Sequence, residues 1–222
     1  DHHGDVVTLH THNNRCAVQW QQRDEYSAPS DLAVNAPEAE PVIPTAHASI
    51  VSTLEGEHIL RIAYALRFAG RKPIEFELPP GHVLLRAYLN GRPIATSAQR
   101  GHIELEVFAA RAGQIGGELE LVLSASDRDY LLSGRLALVL PRPSWRTNEL
   151  YLSAHLPGAF DYAWTSGTLS PAKVAAEVKY VYDIPVPGKA LYFRQFLVHR
   201  STPSLTLEYA VSLEGQYFRA GG

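Results

Sequence analysis

The chain has 222 residues, 45% of them hydrophobic, and a formal net charge of -3, which fits one large β-domain or two small ones. This charge, without any basic run, gives no overall attraction to nucleic acid or anionic membranes, whose binding leaves an excess of basic residues. The single cysteine, Cys16, excludes a disulfide framework and a thiolate zinc cluster. No apolar run approaches the roughly 18 residues of a membrane span, so we expect no nucleic-acid partner and no membrane insertion of this segment.

The sequence begins at Asp1 and contains no methionine, and arginine outnumbers lysine sixteen to four. The start at Asp1 and the absence of methionine indicate a processed product or an excised fragment. The excess of arginine over lysine is common in bacteria with GC-rich genomes. We therefore expect a bacterial protein, and both a secreted protein after signal cleavage and an excised fragment fit these features.

Residues 1–45 form the first predicted segment. Residues 5–22 contain two β-like runs, and residues 23–45 lose the alternation and carry four prolines, which predicts a linker or a long surface excursion. Because two strands alone are marginally stable in water, we expect the two N-terminal strands to pair into a sheet of the following domain.

Residues 46–143 show the clearest pattern in the chain, an alternation of apolar with charged or small residues. Side chains two apart along a strand share a face, so one face of each strand is predicted to be buried and the other to meet water. Such strands belong to antiparallel sheets, and Asn90-Gly91 predicts a tight hairpin between two of them. The apolar positions are Leu60, Ile62, Tyr64, Leu66, Phe68, Ile74, Phe76, Leu78, Ile103, Leu105, Val107, Leu119, Leu121 and Leu123, with Arg61, Glu75, Glu77, Glu104, Glu106, Glu118 and Glu120 among the residues between them.

A Pro-Gly pair ends an apolar run three times, at Pro80-Gly81, Pro157-Gly158 and Pro187-Gly188. Proline and glycine at the two central positions favour a type II turn, which splays the flanking strands. We therefore expect corners that carry the chain from one sheet to another. The strand after the first corner, residues 83–89, is predicted to be an aliphatic core strand, whereas residues 159–165 after the second corner are rich in aromatics.

Residues 144–222 repeat this style, and they are predicted either to complete the sandwich or to form a second, closely packed β-unit. Ser170 as N-cap followed by Pro171 favours one short helical turn, with a strand from about Glu177. The predicted fold class is thus an all-β, antiparallel β-sandwich with at most one short helix.

Residues 61–94 carry a family resemblance. Their strand, turn and strand order, with ends at Leu78-Pro79-Pro80-Gly81 and Asn90-Gly91-Arg92-Pro93, resembles β-sandwich modules of large, mostly uncharacterised bacterial envelope proteins, and more distantly the vault/inter-α-trypsin inhibitor type domain. The resemblance implies a non-catalytic module with a periplasmic or extracellular location, and it carries over no functional residue.

Histidines near the start of the chain suggest a metal site. His10 and His12 are two apart, so on a strand both imidazoles project from one face, as metal sites on β-scaffolds require. With a free amine at Asp1, His3 could complete a square-planar site for Cu(II) or Ni(II). The other interpretation of His3, His10 and His12 is a solvated chain terminus.

Aromatic residues form the second candidate site. Tyr162 and Trp164 share one strand face, with Phe160 in line behind them, and Trp145 follows two prolines. Such side chains can form a platform for a sugar or a protein partner. The alternative is that the row is a core face and that Trp145 plugs the end of the sandwich.

Catalytic signatures are absent from the sequence. No Gly-x-Ser-x-Gly motif, P-loop or dinucleotide fingerprint occurs, and we expect neither catalysis nor a cofactor. The predicted function is a non-catalytic structural or binding module that contacts a protein or glycan partner. The alternatives are a copper-binding protein and an accessory β-domain of a carbohydrate-active enzyme.

Overall fold

The computed structural model describes residues 7–12, 15–20, 40–99, 101–108, 116–127, 129–173, 188–199 and 201–212. The chain divides into two compact units, Asp1–Glu38 and Ala39–Gly222. Across these described stretches the protein is all-β and contains no helix. The strands are β1 Val7–His12, β2 Arg15–Trp20, β3 Val42–Ser52, β4 Glu57–Arg67, β5 Arg71–Glu77, β6 Val83–Leu89, β7 Arg92–Pro93, β8 Ser97–Gln99, β9 His102–Phe108, β10 Gly117–Ser126, β11 Ser133–Val139, β12 Arg142–Pro143, β13 Arg146–Leu156, β14 Phe160–Gly167, β15 Ser170–Pro171, β16 Lys189–Val198 and β17 Ser204–Val211.

The second unit is a β-sandwich, which confirms the predicted fold class. One layer is an eight-stranded sheet in the order β15-β16-β13-β3-β4-β10-β6-β7, and the other contains a four-stranded sheet, β12-β5-β9-β8, and a three-stranded sheet, β11-β17-β14. The alternating apolar side chains of all three sheets meet in one buried core. Tyr64 of the large sheet packs on Phe76 of the four-stranded sheet, with ring centroids 5.1 Å apart.

The eight-stranded sheet includes one parallel pair. Strand β13 runs parallel to β3, with Leu150 opposite Ala46 and Leu152 opposite Ala48, whereas the other pairs in this sheet are antiparallel. Both strands are eleven residues long, and parallel neighbours need a long crossover connection. The parallel pair therefore joins strands far apart in sequence at the centre of the large sheet.

The two described Pro-Gly corners change sheets, as predicted. The first carries the chain from β5 in the four-stranded sheet to β6 in the large sheet, and the second from β13 in the large sheet to β14 in the three-stranded sheet. At the first corner, Gly81 has a φ of 81° and His82 N donates to Pro79 O at 3.2 Å, which is the type II geometry. The third corner includes Pro187, which lies outside the described residues.

The second corner has a different geometry. Phe160 N donates to Pro157 O at 3.4 Å, so Pro157 is the first residue of the turn, and Gly158 has no positive φ. The type II prediction is therefore wrong at this corner. The change of sheet needs only a bend of the chain, which other turn types also provide.

The Asn90-Gly91 hairpin is confirmed. Both residues have positive φ angles, 51° and 75°, and Leu89 faces Arg92 across the turn, as a two-residue type I′ turn requires. Asn90 Oδ1 accepts a hydrogen bond from Glu118 N at 2.9 Å, and Asn90 N donates to Glu118 O at 2.7 Å. The hairpin is thereby joined to the start of β10.

Two local predictions are wrong. Strands β1 and β2 do not join a sheet of the larger unit but pair with each other as a separate antiparallel sheet, since closing a short local hairpin costs less chain entropy than a distant pairing. Ser170 and Pro171 do not start a helix: they form β15 and pair with β16. Ala172 N then donates to Tyr192 O at 2.8 Å, which stabilises the extended conformation there; residues 174–187 lie outside the described part.

The outer face of the large sheet is not uniformly exposed to solvent. Arg61 on β4 and Glu120 on β10 occupy the positions that alternation assigns to solvent, yet they are only 3% and 2% exposed. Ala63 and Val122, on the same face, are also buried. The prediction of a solvated outer face is therefore wrong at the centre of this sheet.

Candidate binding surfaces

Trp145 lies in the core at the junction of β12 and β13. It is 7% exposed, its ring packs on Phe68 with centroids 5.5 Å apart, and its Nε1 donates to Pro73 O at 3.1 Å. This position matches the plug interpretation. A role in partner contact stays a prediction, and in this structure the indole presents little surface to a partner.

Strand β14 places Tyr162 and Trp164 at one edge of the three-stranded sheet. Tyr162 is half-buried and its hydroxyl donates to Pro157 O at 2.9 Å, while Trp164 is 42% exposed and its Nε1 donates to Leu169 O at 3.1 Å. Phe160 behind them is buried. Exposure thus rises along the row, and both polar groups are already bonded within the protein.

Tyr162 belongs to an aromatic cluster formed with Tyr130, Phe160 and Tyr209, in which ring centroids lie 4.8 to 6.4 Å apart. Burial raises the pKa of Tyr130 to about 12 and also raises the pKa of Tyr162. Both phenols are therefore neutral at physiological pH. The cluster serves packing and hydrogen bonding, and it supplies no general base or nucleophile.

Strand β6 has an open edge that the sequence did not reveal. On its outer side β6 pairs only with the two residues of β7, opposite Tyr88 and Leu89, and Ile94 N donates to Ala87 O at 3.0 Å. Within the described part of the chain, residues 83–86 have no strand partner on that side. Unpaired backbone donors and acceptors on an edge are a template for another strand.

A surface groove of about 430 Å³ lies on the outer face of the large sheet, where it crosses β4, β10 and β6. We call it the β6 groove. A β-bulge places two consecutive residues, Leu85 and Arg86, on it, because Val122 faces Arg86 while Leu123 faces Leu84. Leu85 is 45% exposed. The groove is lined by Ile59, Leu85, Arg86, Tyr88 and Val122.

Apolar exposure extends beyond the groove itself. Val83 on β6 is 59% exposed and Ile59 on β4 is 36% exposed, and both lie in one row of the sheet, on either side of Ser124. The description of residues 83–89 as a core strand is therefore correct only for the second half of β6, where Ala87 and Leu89 are buried. The sequence did not reveal the exposed half, because hydrophobic residues occupy both alternating sets of positions in β6. No alternation therefore marked the bulge.

The predicted histidine site falls largely outside the described residues. His10 and His12 lie on β1, opposite Ala17 and Arg15, while His3 is not among the described residues. In the part of the chain that the structure describes, no group of three or more His, Cys, Asp or Glu residues is arranged to hold a metal ion. No helix found there is long and apolar enough to cross a membrane.

This chain shows only limited similarity to known proteins. No protein-family model and no curated protein matches the chain. Among solved structures, the M1 zinc metallopeptidase from Deinococcus radiodurans matches with 13% identity and a TM-score of 0.44, and a mutant of it with 14% identity and a TM-score of 0.45. Each match covers 75% of this chain and 42% of the peptidase chain, so this chain spans less than half of those proteins.

Proposed function

We propose that this chain is a non-catalytic binding module that holds an extended segment of a protein partner against the edge of β6. The observation that carries the proposal is the coincidence of two features at one place: an open strand edge at residues 83–86 and the apolar β6 groove beside it. An edge alone offers main-chain hydrogen bonds, and a groove alone offers apolar contact. Together they supply both parts of strand addition.

The chemistry of the groove describes the partner. Alternate side chains of an added strand point to one face, so every second residue of the partner would lie beside the outward-facing side chains of β6, among them the exposed Leu85. The Arg86 guanidinium lies in the same groove and favours a carboxylate at one of the neighbouring positions. The fitting partner is an extended segment with alternating apolar residues and at least one acidic residue.

The burial and the internal hydrogen bonds of the aromatic residues favour a protein partner over a glycan. Sugar platforms need a broad, flat aromatic surface with polar groups available around it. Tyr162 and Trp164 instead use their polar groups within the protein, and Trp145 is buried. A location in the bacterial envelope stays a prediction from the sequence.

Selection from a library of random linear peptides displayed on phage tests this function. The full chain is immobilised, and bound peptides are sequenced and titrated against the wild type and Leu85→Asp. We expect enrichment of alternating apolar residues with an acidic position. We also expect at least about tenfold weaker binding to Leu85→Asp, because a charge in the groove would be desolvated by the bound peptide.

The matched control is Leu131→Asp, which introduces the same charge at a leucine that is 70% exposed and lies outside the groove. Peptides should bind this variant like the wild type. Methylation of alternate backbone nitrogens of a selected peptide should abolish binding, since main-chain hydrogen bonds would be lost. Failure to enrich any peptide, or equal loss in both variants, would refute the proposed site.

A further inference from the structure

A second cavity, which shares no lining residue with the β6 groove, lies at one end of the sandwich. This end cleft has a volume of about 240 Å³ and is enclosed by β3, β4 and β10 of the large sheet, by β11 of the three-stranded sheet, and by the first Pro-Gly corner. Its walls are apolar, with Leu60, Pro80 and Val139 among them, and its polar lining includes His58, His82 and Asp127.

The polar lining of the end cleft offers hydrogen-bond acceptors from His82 and Asp127. His82 Nδ1 lies 3.4 Å from Pro80 O. A carbonyl can only accept, so Nδ1 carries the proton and Nε2 is left as an acceptor. At the base of the cleft, His58 Nδ1 bonds to Ser52 Oγ at 2.7 Å, and Asp127 contributes a carboxylate to the lining.

The charges around the cleft are negative. Burial lowers the pKa of His58, against the raising effects of Asp127 and Glu57, and the nearby His82 lowers it further. Burial also lowers the pKa of His82, against its contacts with the carbonyls of Pro79 and Pro80, so both imidazoles are neutral at physiological pH. Among the described lining residues there is no lysine or arginine.

We propose that the end cleft binds an ammonium or guanidinium group carried on a small apolar body. The cation would meet the Asp127 carboxylate and Nε2 of His82, and the apolar body would meet the Leu60, Pro80 and Val139 walls. A cavity of about 150 Å³ holds benzene, so a cleft of about 240 Å³ takes one ring with a short amine arm. A free amine and a lysine or arginine side chain share this chemistry.

Titration of the full chain with 2-phenylethylamine, followed by NMR of the histidine ring protons, tests the proposal. We expect saturable shifts of the His58 and His82 signals and no comparable shifts with 2-phenylethanol, the neutral analogue. A lysine-containing tripeptide with blocked ends is the second probe. Tighter binding of the free amine identifies a small-molecule ligand, and tighter binding of the tripeptide identifies a side chain of a partner.

Two variants make the test specific. Asp127→Asn should weaken binding about tenfold or more through loss of a charge-assisted hydrogen bond, whereas Asp129→Asn, the same change at an exposed residue outside the cleft lining, should not. Ala137→Phe, at an exposed position in the lining, should block the cleft without changing charge. Unaltered binding in both Asp127→Asn and Ala137→Phe would overturn the proposal, as would equal binding of the alcohol.

Affinity should also depend on pH in one direction. As the pH falls below the histidine pKa values, protonation of His58 and His82 places positive charge beside the bound cation, so binding should weaken from about pH 8 to about pH 5. A cation that bound equally well at both ends of this range would contradict the assigned acceptors.

Discussion

Gly134 on β11 lies directly under the ring of Tyr209. A Cβ added at Gly134 would stand 2.6 Å from Tyr209 Oη and 2.8 Å from its Cζ, and the ring is held by Tyr130, Phe160 and Tyr162 around it. Because the cluster leaves the ring little room to move, we expect Gly134→Ala to lower the free energy of unfolding by about 1 to 3 kcal/mol.

Urea unfolding measures this cost, and Gly158→Ala is the matched control. Gly158 has no positive φ and nothing within 4 Å of an added Cβ, so the same substitution there should be nearly neutral. Equal effects at the two glycines would show that the contact with Tyr209 is not what constrains Gly134.

The histidines make stability depend on pH. Burial is the main cause of lowered pKa values for His47, His58, His82 and His155, whereas the unfolded value is 6.5. Between the folded and unfolded values the unfolded chain binds more protons, so lowering the pH through 6.5 reduces the free energy of unfolding. Urea unfolding at about pH 7.5 and about pH 5.5 should show the loss.

His58→Gln should reduce this pH dependence, because glutamine can hydrogen-bond to Ser52 without titrating. His102→Gln, the same change at an exposed histidine, is the matched control. Lowered carboxylate pKa values, such as those of Glu77 and Asp161, act below their own ordinary range and do not contribute in this window. A stability that rose on acidification would contradict the burial of these imidazoles.

At the scale of elements, the β6–β7 hairpin limits how much of the β6 edge is open. Asn90→Ala removes the side-chain hydrogen bond to Glu118 N. It also places alanine, which tolerates positive φ less well than asparagine, at a φ of 51°. We expect a loss of about 1 to 2 kcal/mol in unfolding free energy. Hydrogen exchange should show the largest change at residues 87–94, and a uniform change across the large sheet would contradict a local role for this turn.

The features that the sequence predicted correctly depend on turn residues and on the alternation of apolar and polar residues. Asn90-Gly91 predicts its turn type, because only a few residue pairs tolerate two positive φ angles in succession. Strict alternation identified β5, β9 and β10 since their inner residues, such as Ile74, Ile103 and Leu121, must all reach one core. The Pro-Gly pairs predicted a change of sheet at both described corners, although only the first adopts the expected turn.

Exposure on individual strands could not be predicted in the same way. The exposed residues Val83 and Leu85 have the same apolar character as buried Ala87 and Leu89, and only the position of β6 next to the two-residue β7 leaves them uncovered. Arg61 and Glu120 show the reverse, since their charge suggested exposure to solvent but both are buried. Strand order depends on long-range pairing, which local patterns do not encode. The β6 groove and the end cleft were therefore missed.

At the scale of the whole unit, one core joins all three sheets, so we expect one cooperative unfolding transition. Trp145 connects the sheets by packing on Phe68 and bonding to Pro73. Trp145→Ala should lower the free energy of unfolding by about 3 to 5 kcal/mol. Tyrosine fluorescence and far-UV circular dichroism in urea should report coincident midpoints for the variant, and separated midpoints would show that the sheets unfold independently.

The most direct measurement of the central claim is amide hydrogen exchange with and without a selected extended peptide. Strand addition at β6 predicts that alternate amides within residues 83–86 exchange at least about tenfold more slowly in the complex, since antiparallel or parallel pairing bonds every second residue on one side of a strand. Amides of β14 should be unaffected. Protection confined to β14, with residues 83–86 unchanged, would contradict the account.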